Sequence, residues 1–277
     1  MPETISADRY TIHNPVTPDG IIVGAYTQGK VGTKSIVATI QPIFPSTHIW
    51  DIRRSTFSGV KAHDTVRGDR PRLQSQDVEF AEYTTAHPRT DKQLVTVVRD
   101  PVAIAVSSLF YNFTPRNPGI NINSLSDKDI ISRLVRGDSF SSPSFHLDWF
   151  DIEPKAAMGV DVYSQGEFPH SKGYRSYTSE GVQSHTDLLV MRLEDVKRIG
   201  CKAISEFYDG VTIEDYPMKN VGNDHPYGTR YSQFKQSVRL PEDWVKWQLD
   251  SRYASYFYTP SEREEFAQRW IEGIQSI

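Results

Sequence analysis

Two short segments of the chain carry residues whose types and spacing suit the binding of anionic oxygens. The first is Thr27-Gln28-Gly29-Lys30-Val31-Gly32-Thr33-Lys34-Ser35. Gly29 and Gly32 give the backbone access to positive φ and let it approach a ligand closely. A helix starting here aims its first N–H groups and the positive end of its dipole at a bound phosphate. Lys30 and Lys34 add charge, and Thr33 and Ser35 add hydroxyl donors, so several oxygens can be held at once. The second segment is Arg99-Asp100-Pro101, with Ser107 eight residues after the arginine. The planar guanidinium of Arg99 suits a phosphate. Asp100 can cap a helix that Pro101 begins, which puts Ser107 about two turns into it. The plain alternatives are a glycine turn with surface lysines and an Arg99 paired with Asp100 or another carboxylate.

Gly24 to Lys30 also fits G-x-x-x-x-G-K, the opening of a nucleoside-triphosphate loop. That motif continues with Ser or Thr, whose hydroxyl holds a magnesium ion. Here the next residue is Val31, which offers no oxygen. Chemistry other than γ-phosphoryl transfer is therefore expected. An ATP-dependent kinase with a degenerate loop stays as the alternative enzyme, and a nucleotide- or glycan-binding protein without catalysis as a third reading.

Both segments must be positioned by strands. Ile21–Tyr26, Thr47–Ile52, Leu94–Val98 and Leu188–Arg192 are short, apolar or β-branched runs of the kind found in a parallel sheet covered on both faces. Helical patterns follow at Thr33–Gln41, Pro101–Phe113 and Glu194–Tyr208. This alternation predicts an α/β fold with a central parallel sheet flanked by helices in three layers. Arg99 then stands at the carboxyl end of a strand, where ligands sit in open sheets. Ser55–Arg72 and Pro115–Asn123 read as surface loops. Ser139–Ser184 has many aromatics and no periodicity, and is expected to be an insertion shaping an acceptor pocket. Pro241, Glu242 and Asp243 suit a helix start, and Ser261 with Glu264 makes a capping-box pattern opening a last helix toward Gly273. One domain over residues 1–277 is expected, with a donor-binding core at 20–113, the insertion at 139–184 and C-terminal helices at 240–277.

Composition narrows the function. The 277 residues are 38% hydrophobic and 24% charged, enough for a full core. With 31 Lys and Arg against 35 Asp and Glu, the formal charge is −4, which disfavours a nucleic-acid coat or a polybasic membrane binder and leaves room for a local anion site. The single cysteine, Cys201, allows no internal disulfide and no all-cysteine metal cage. No basic and apolar leader and no spanning run are visible, so a cytoplasmic protein without a membrane span is expected, with a lumenal domain separated from its anchor as the alternative.

The loop from Gln28 to Ser35 resembles the 5′-phosphosulfate loop of sulfotransferases, and Arg99-Asp100-Pro101 through Ser107 resembles their 3′-phosphate motif. Arg192-Leu193-Glu194-Asp195 is similar to the Arg-aromatic-Glu-Asp segment that closes a later strand of that fold. Asp148-Trp149-Phe150-Asp151, Gly159-Val160-Asp161-Val162-Tyr163 and Gly173-Tyr174 resemble a group of capsular polysaccharide synthesis proteins. These matches run from about residue 21 to 196, with a weaker echo in Tyr256-Phe257-Tyr258-Thr259.

The resemblance implies a P-loop-type sulfotransferase fold and transfer of a sulfuryl group from 3′-phosphoadenosine 5′-phosphosulfate (PAPS), without a metal, to a hydroxyl or amine acceptor, a carbohydrate or polysaccharide above all. It implies that Lys30 touches the bridging oxygen and stabilises the leaving phosphate. Gln28, Gly29, Val31, Gly32, Thr33, Lys34 and Ser35 would complete the 5′-phosphosulfate site, and Arg99 and Ser107 would hold the 3′-phosphate. A loose transferring group spreads charge over its oxygens, so fixed cations and N–H dipoles can supply most of the catalysis.

Two features depart from the family pattern. The C-terminal glycine-and-basic loop is not evident, with Lys219-Asn220-Val221-Gly222 or Gly228-Thr229-Arg230 as substitutes. For the general base, Asp51 ranks first and His48 second, with His63 and Asp64 also in that region. Glu194 and Asp195 read as dipole compensation and an internal ion pair rather than a metal site. His87, His170 and His185 read as loop or surface residues. Trp244, Trp247, Tyr253, Tyr256, Phe257 and Tyr258 lie at helical spacing and read as core rather than a sugar platform.

Overall fold

The expected apolar runs become strands that are buried along almost their whole length. The computed structural model describes residues 14–53, 74–138, 144–219 and 225–273. Its strands are β1 (Ile22–Tyr26), β2 (Trp50–Ile52), β3 (Lys92–Val98), β4 (Tyr174–Thr178) and β5 (Thr186–Arg192). They form one sheet in the order β2-β1-β3-β5-β4. β1, β2, β3 and β5 run parallel, and β4 pairs antiparallel with β5 at the edge. Gly24 lies in the middle of β1, and a Cβ there would meet the Trp50 carbonyl oxygen at 2.6 Å. It is a packing glycine, so only the second half of the G-x-x-x-x-G-K match belongs to a loop.

The helices are α1 (Thr33–Ile40), α2 (Gln74–Ala86), α3 (Pro101–Arg116), α4 (Asp127–Val135), α5 (Phe145–Phe150), α6 (Val196–Phe207), α7 (Gly228–Ser237), α8 (Glu242–Leu249), α9 (Arg252–Phe257) and α10 (Pro260–Glu272). α1 packs on β1, β2 and β3, α2 on β2, and α6 on β4 and β5. The α/β class and the mostly parallel central sheet flanked by helices are as expected. No helix among the described residues is long and apolar enough to cross a membrane.

Three local expectations change. Ser139–Ser184 carries regular structure, with α5 continuing through a π-turn at Asp151–Lys155 to Met158, and then β4. Most of its described aromatics sit inside the core, Trp149 and Phe150 among them, and this burial hid the periodicity. The C-terminal capping box is Thr259 with Glu262, two residues before the expected pair. Pro260 takes the first helical position, so the residue before it becomes the cap. Pro115–Asn123 is only partly loop, since α3 runs to Arg116 and a single 3₁₀ turn covers Ile122–Ser124. Ser55–Arg72, with His63 and Asp64, lies outside the described residues.

Of the C-terminal aromatics, Tyr253, Phe257 and Tyr258 are buried, whereas Trp247 is exposed. His185 is exposed and pairs with Asp187 at 3.0 Å, and His170 meets the Tyr256 carbonyl at 3.1 Å. Arg192 forms ion pairs with Asp195 and Glu262, the internal pairing expected after this strand.

α5 is joined to α8 by a buried polar contact, His146 Nε2 to Gln248 Oε1 at 2.6 Å. Burial pushes the His146 pKa from 6.5 down to about 4. The imidazole is therefore neutral in the folded chain, while the unfolded chain takes up the proton first as the pH falls. Its contribution to stability is complete above pH 6.5 and is lost on acidification from 6.5 toward 4. At about 1.4 kcal/mol per pKa unit the loss approaches ~3 kcal/mol. Urea unfolding across this window is expected to show that slope, reduced in His146→Gln; an unchanged slope would place the titration elsewhere.

Candidate anion-binding site

The strand order reverses between β1 and β3, because the chain leaves β1 toward β2 and then returns past it to β3. Crevices at such reversals, outside the carboxyl ends of the strands, are where open α/β sheets bind ligands. All four parallel strands deliver a residue there: Arg53 after β2, Lys30 in the loop after β1, Arg99 after β3 and Leu193 after β5. Together they line a cleft of about 290 Å³.

The loop after β1 is folded by left-handed residues. Gly29 has φ 87°, Lys30 φ 60° and Gly32 φ 87°. Lys30 is held there despite its side chain, a strained conformation of the kind found at ligand sites. Gly32 precedes α1, whose first N–H groups lack intrahelical partners. Thr27 Oγ1 and Thr33 Oγ1, 2.8 Å apart, close the base of the loop.

Lys30, Gly32, Thr33, Lys34, Ser35, Arg99 and Ser107 all line the cleft. Gln28, Gly29 and Val31 do not: Gln28 and Val31 are buried, and Gly29 turns the chain. The Lys30 ammonium stands 3.7 Å from the centre of the Tyr111 ring. Ser35 Oγ accepts the Lys219 N–H at 2.9 Å. Ser107 is the one residue of Pro101–Phe110 that is not fully buried, and it opens on the cleft.

Asp100 caps α3 as expected, its Oδ1 accepting the Val102 N–H at 2.9 Å. Its Oδ2 accepts the Trp270 indole N–H at 2.7 Å, and burial raises its pKa. Glu194 accepts the Asp100 N–H at 2.9 Å and the Tyr258 hydroxyl at 3.0 Å. Both carboxylates near Arg99 are thus engaged elsewhere. Arg99 donates to the Lys30 carbonyl at 3.2 Å. Burial works against its charge, yet Tyr231, Glu194 and Asp100 together hold its pKa above the ordinary value.

Tyr253 of α9 joins the two anion segments. Its hydroxyl accepts from Gln28 Nε2 at 3.1 Å and from the Arg99 N–H at 2.9 Å, and donates to the Arg99 carbonyl at 2.9 Å. The Tyr253 ring is fully buried. Tyr253→Phe leaves two buried donors without a partner, and a loss of ~2–3 kcal/mol in urea unfolding is expected. Wild-type stability in that variant would show that the junction is held by other contacts.

The two expected bases fare differently. Asp51 is the middle residue of β2, and its Oδ2 pairs with Lys34 Nζ at 3.3 Å. It does not itself line the cleft. His48 precedes β2, at the opposite end of the strand from the cleft, with its ring edge-on to Trp50 at 5.0 Å. The expected strand Thr47–Ile52 had carried His48 inside it; the observed strand starts at Trp50 and leaves it outside. Arg230 turns away to Asp127. Lys219 does reach the cleft, whereas Asn220–Gly222 lie outside the described residues.

Sequence reasoning missed Arg53, Tyr111, Tyr231, Lys235 and His225, all lining the cleft. Tyr111 was within reach, four residues after Ser107 and so on the same helix face. The others carry no local signal. None of the described residues of Ser139–Ser184 lines the cleft, contrary to their expected role as a pocket wall; Trp149 lies behind it, its indole N–H toward the Arg53 carbonyl at 3.5 Å.

Six cations, Lys30, Lys34, Arg53, Arg99, Lys219 and Lys235, line this cleft, and no carboxylate does so among the described residues. In a chain of net charge −4 this is a concentrated positive site. Comparison of the chain with protein-family models, with curated proteins and with solved structures gives no match.

Proposed function

We propose that this chain is a sulfotransferase that uses PAPS as sulfuryl donor and an acceptor hydroxyl, with a carbohydrate acceptor suggested by the resemblance of its central segment. The observation that carries the reading is the convergence of two separate anion segments on one cleft that has no carboxylate among its described residues, with Val31 fully buried where a triphosphate loop needs a magnesium-binding hydroxyl. A donor with a 5′-phosphosulfate and a 3′-phosphate presents anionic groups at two places, and the cleft offers cations at two places.

In this reading the 5′-phosphosulfate lies over the first turn of α1, within reach of Lys30, Thr33, Lys34 and Ser35. Arg99 and Ser107 hold the 3′-phosphate. Lys30 stabilises charge developing on the leaving phosphate, while positioning and fixed positive charge supply the acceleration. Asp51 holds Lys34 by its ion pair and so acts as a positioning residue. The kinase reading is disfavoured by Val31 and by the use of Gly24 in strand packing.

Calorimetric titration with adenosine 3′,5′-bisphosphate, with magnesium-ATP in parallel, tests the donor site. Micromolar binding of the bisphosphate without magnesium is expected. Binding of magnesium-ATP alone would overturn the sulfotransferase reading in favour of a kinase. Bisphosphate binding with no transfer to any acceptor would favour a non-catalytic binding protein.

A further inference from the structure

A second cavity, of about 320 Å³, shares Tyr111, His225 and Tyr227 with the anion cleft. Its size is at the small end of the ~300–1,000 Å³ range of small-molecule sites. Its lining differs sharply from that of the cleft. Among its described residues there is no Asp, Glu, Lys or Arg, and the polar groups are the amides of Asn112, Asn121 and Asn123 with the Thr114 hydroxyl. Amides both donate and accept, as hydroxyl groups do. Tyr111 and Tyr227 add flat apolar faces. Its own described lining offers a charged compound no counter-charge.

The shared wall faces the reacting end of the site, since the Lys30 ammonium stands over the Tyr111 ring at 3.7 Å. His225 is fixed at the junction, stacked on Tyr227 with centroids 5.0 Å apart and edge-on to Tyr111 at 5.9 Å. Among the described residues lining either cavity it is the only histidine, and there is no carboxylate among them. A neutral imidazole carries a ring nitrogen that can accept a proton, which suits a general base.

We infer that the second cavity is the acceptor subsite, that it takes an uncharged polyhydroxyl compound such as a neutral sugar unit, and that His225 is the general base. This rests on the transfer reading above. The acceptor oxygen attacks sulfur and forms the new O–S bond. The bond from sulfur to the bridging oxygen breaks, its electron pair passing to the phosphate of the departing adenosine 3′,5′-bisphosphate. The hydroxyl proton goes to the His225 imidazole and from there to water.

The test measures transfer from radiolabelled PAPS to maltose, lactose and cellobiose, with glucuronic acid and 2-naphthol as comparison acceptors. Wild type, His225→Asn and Asn121→Asp are assayed across the neutral pH range, and bisphosphate affinity is measured calorimetrically for each. Transfer to a neutral sugar is expected, with kcat lowered ~10²-fold or more in His225→Asn. That variant should also change the pH profile of kcat, with a far smaller effect on bisphosphate affinity than Arg99→Ala. Asn121→Asp should raise KM for the sugar with bisphosphate affinity unchanged, because the carboxylate no longer offers the amide N–H donors to a sugar hydroxyl. An unchanged pH profile in His225→Asn would overturn its role as base. Preference for glucuronic acid or 2-naphthol, or no transfer to any neutral sugar while the bisphosphate binds, would overturn the acceptor class. Absence of bisphosphate binding would instead fail the donor reading, a separate result.

Discussion

Lys30→Ala is expected to lower sulfuryl transfer on the order of 10³-fold while the protein stays folded, the scale found when a single preorganised charge or donor is removed from a developing oxyanion. The effect should fall on kcat, because the ammonium is needed most when charge reaches the leaving oxygen. Stability and function separate cleanly at this residue. Lys30 sits at φ 60°, a conformation that costs an ordinary side chain ~1–2 kcal/mol and costs glycine little. Alanine inherits the strain, whereas Lys30→Gly relieves it. The glycine variant should therefore unfold no earlier than wild type and still be inactive. Single-turnover transfer and thermal unfolding on both variants check this; full turnover by either would sink the assigned role of Lys30.

Arg99→Ala is expected to raise the dissociation constant of adenosine 3′,5′-bisphosphate ~10²-fold, about 3 kcal/mol, as removal of charge-assisted hydrogen bonds from a half-buried site requires. The carboxylates nearest to it are already engaged by Trp270, Tyr258 and backbone N–H groups, so the guanidinium is available to a ligand anion. Its bond to the Lys30 carbonyl means that the loss also loosens the first loop. Arg99→Lys keeps the charge and loses the fork, and should recover only part of the affinity. Titration calorimetry on the three proteins measures this. A change below about threefold in Arg99→Ala would show that the 3′-phosphate site lies elsewhere.

The two anion segments are legible in the sequence because each is local. A turn with glycines at left-handed positions, a helix dipole, an Asp cap before Pro101 and a serine two turns on are all specified by neighbouring residues. The four parallel strands are legible for a similar reason: strands buried on both faces need continuous apolar runs. Where a strand begins is less firmly encoded: β2 starts at Trp50 instead of Thr47, and His48 lies beyond its amino end, away from the cleft.

What brings distant residues together is not written in local pattern. Tyr253 braces Gln28 and Arg99 from 225 and 154 positions away, and its type and spacing alone mark it only as core. Arg53 and Lys235 look like ordinary surface cations until the sheet order places the ends of β2 and α7 beside the first loop. His225 is one histidine among 8 with no local motif around it, and the second cavity exists only because the end of α3 meets the segment before α7. The aromatic segment after Ser139 shows the same limit from the other side, since burial masked its periodicity and it builds core and a sheet edge. Backbone conformation and helix capping act over a few residues, so the sequence alone determined the anion-binding loops. Closure of the cleft, its brace and its neighbouring cavity depend on long-range packing, which only the tertiary structure decided.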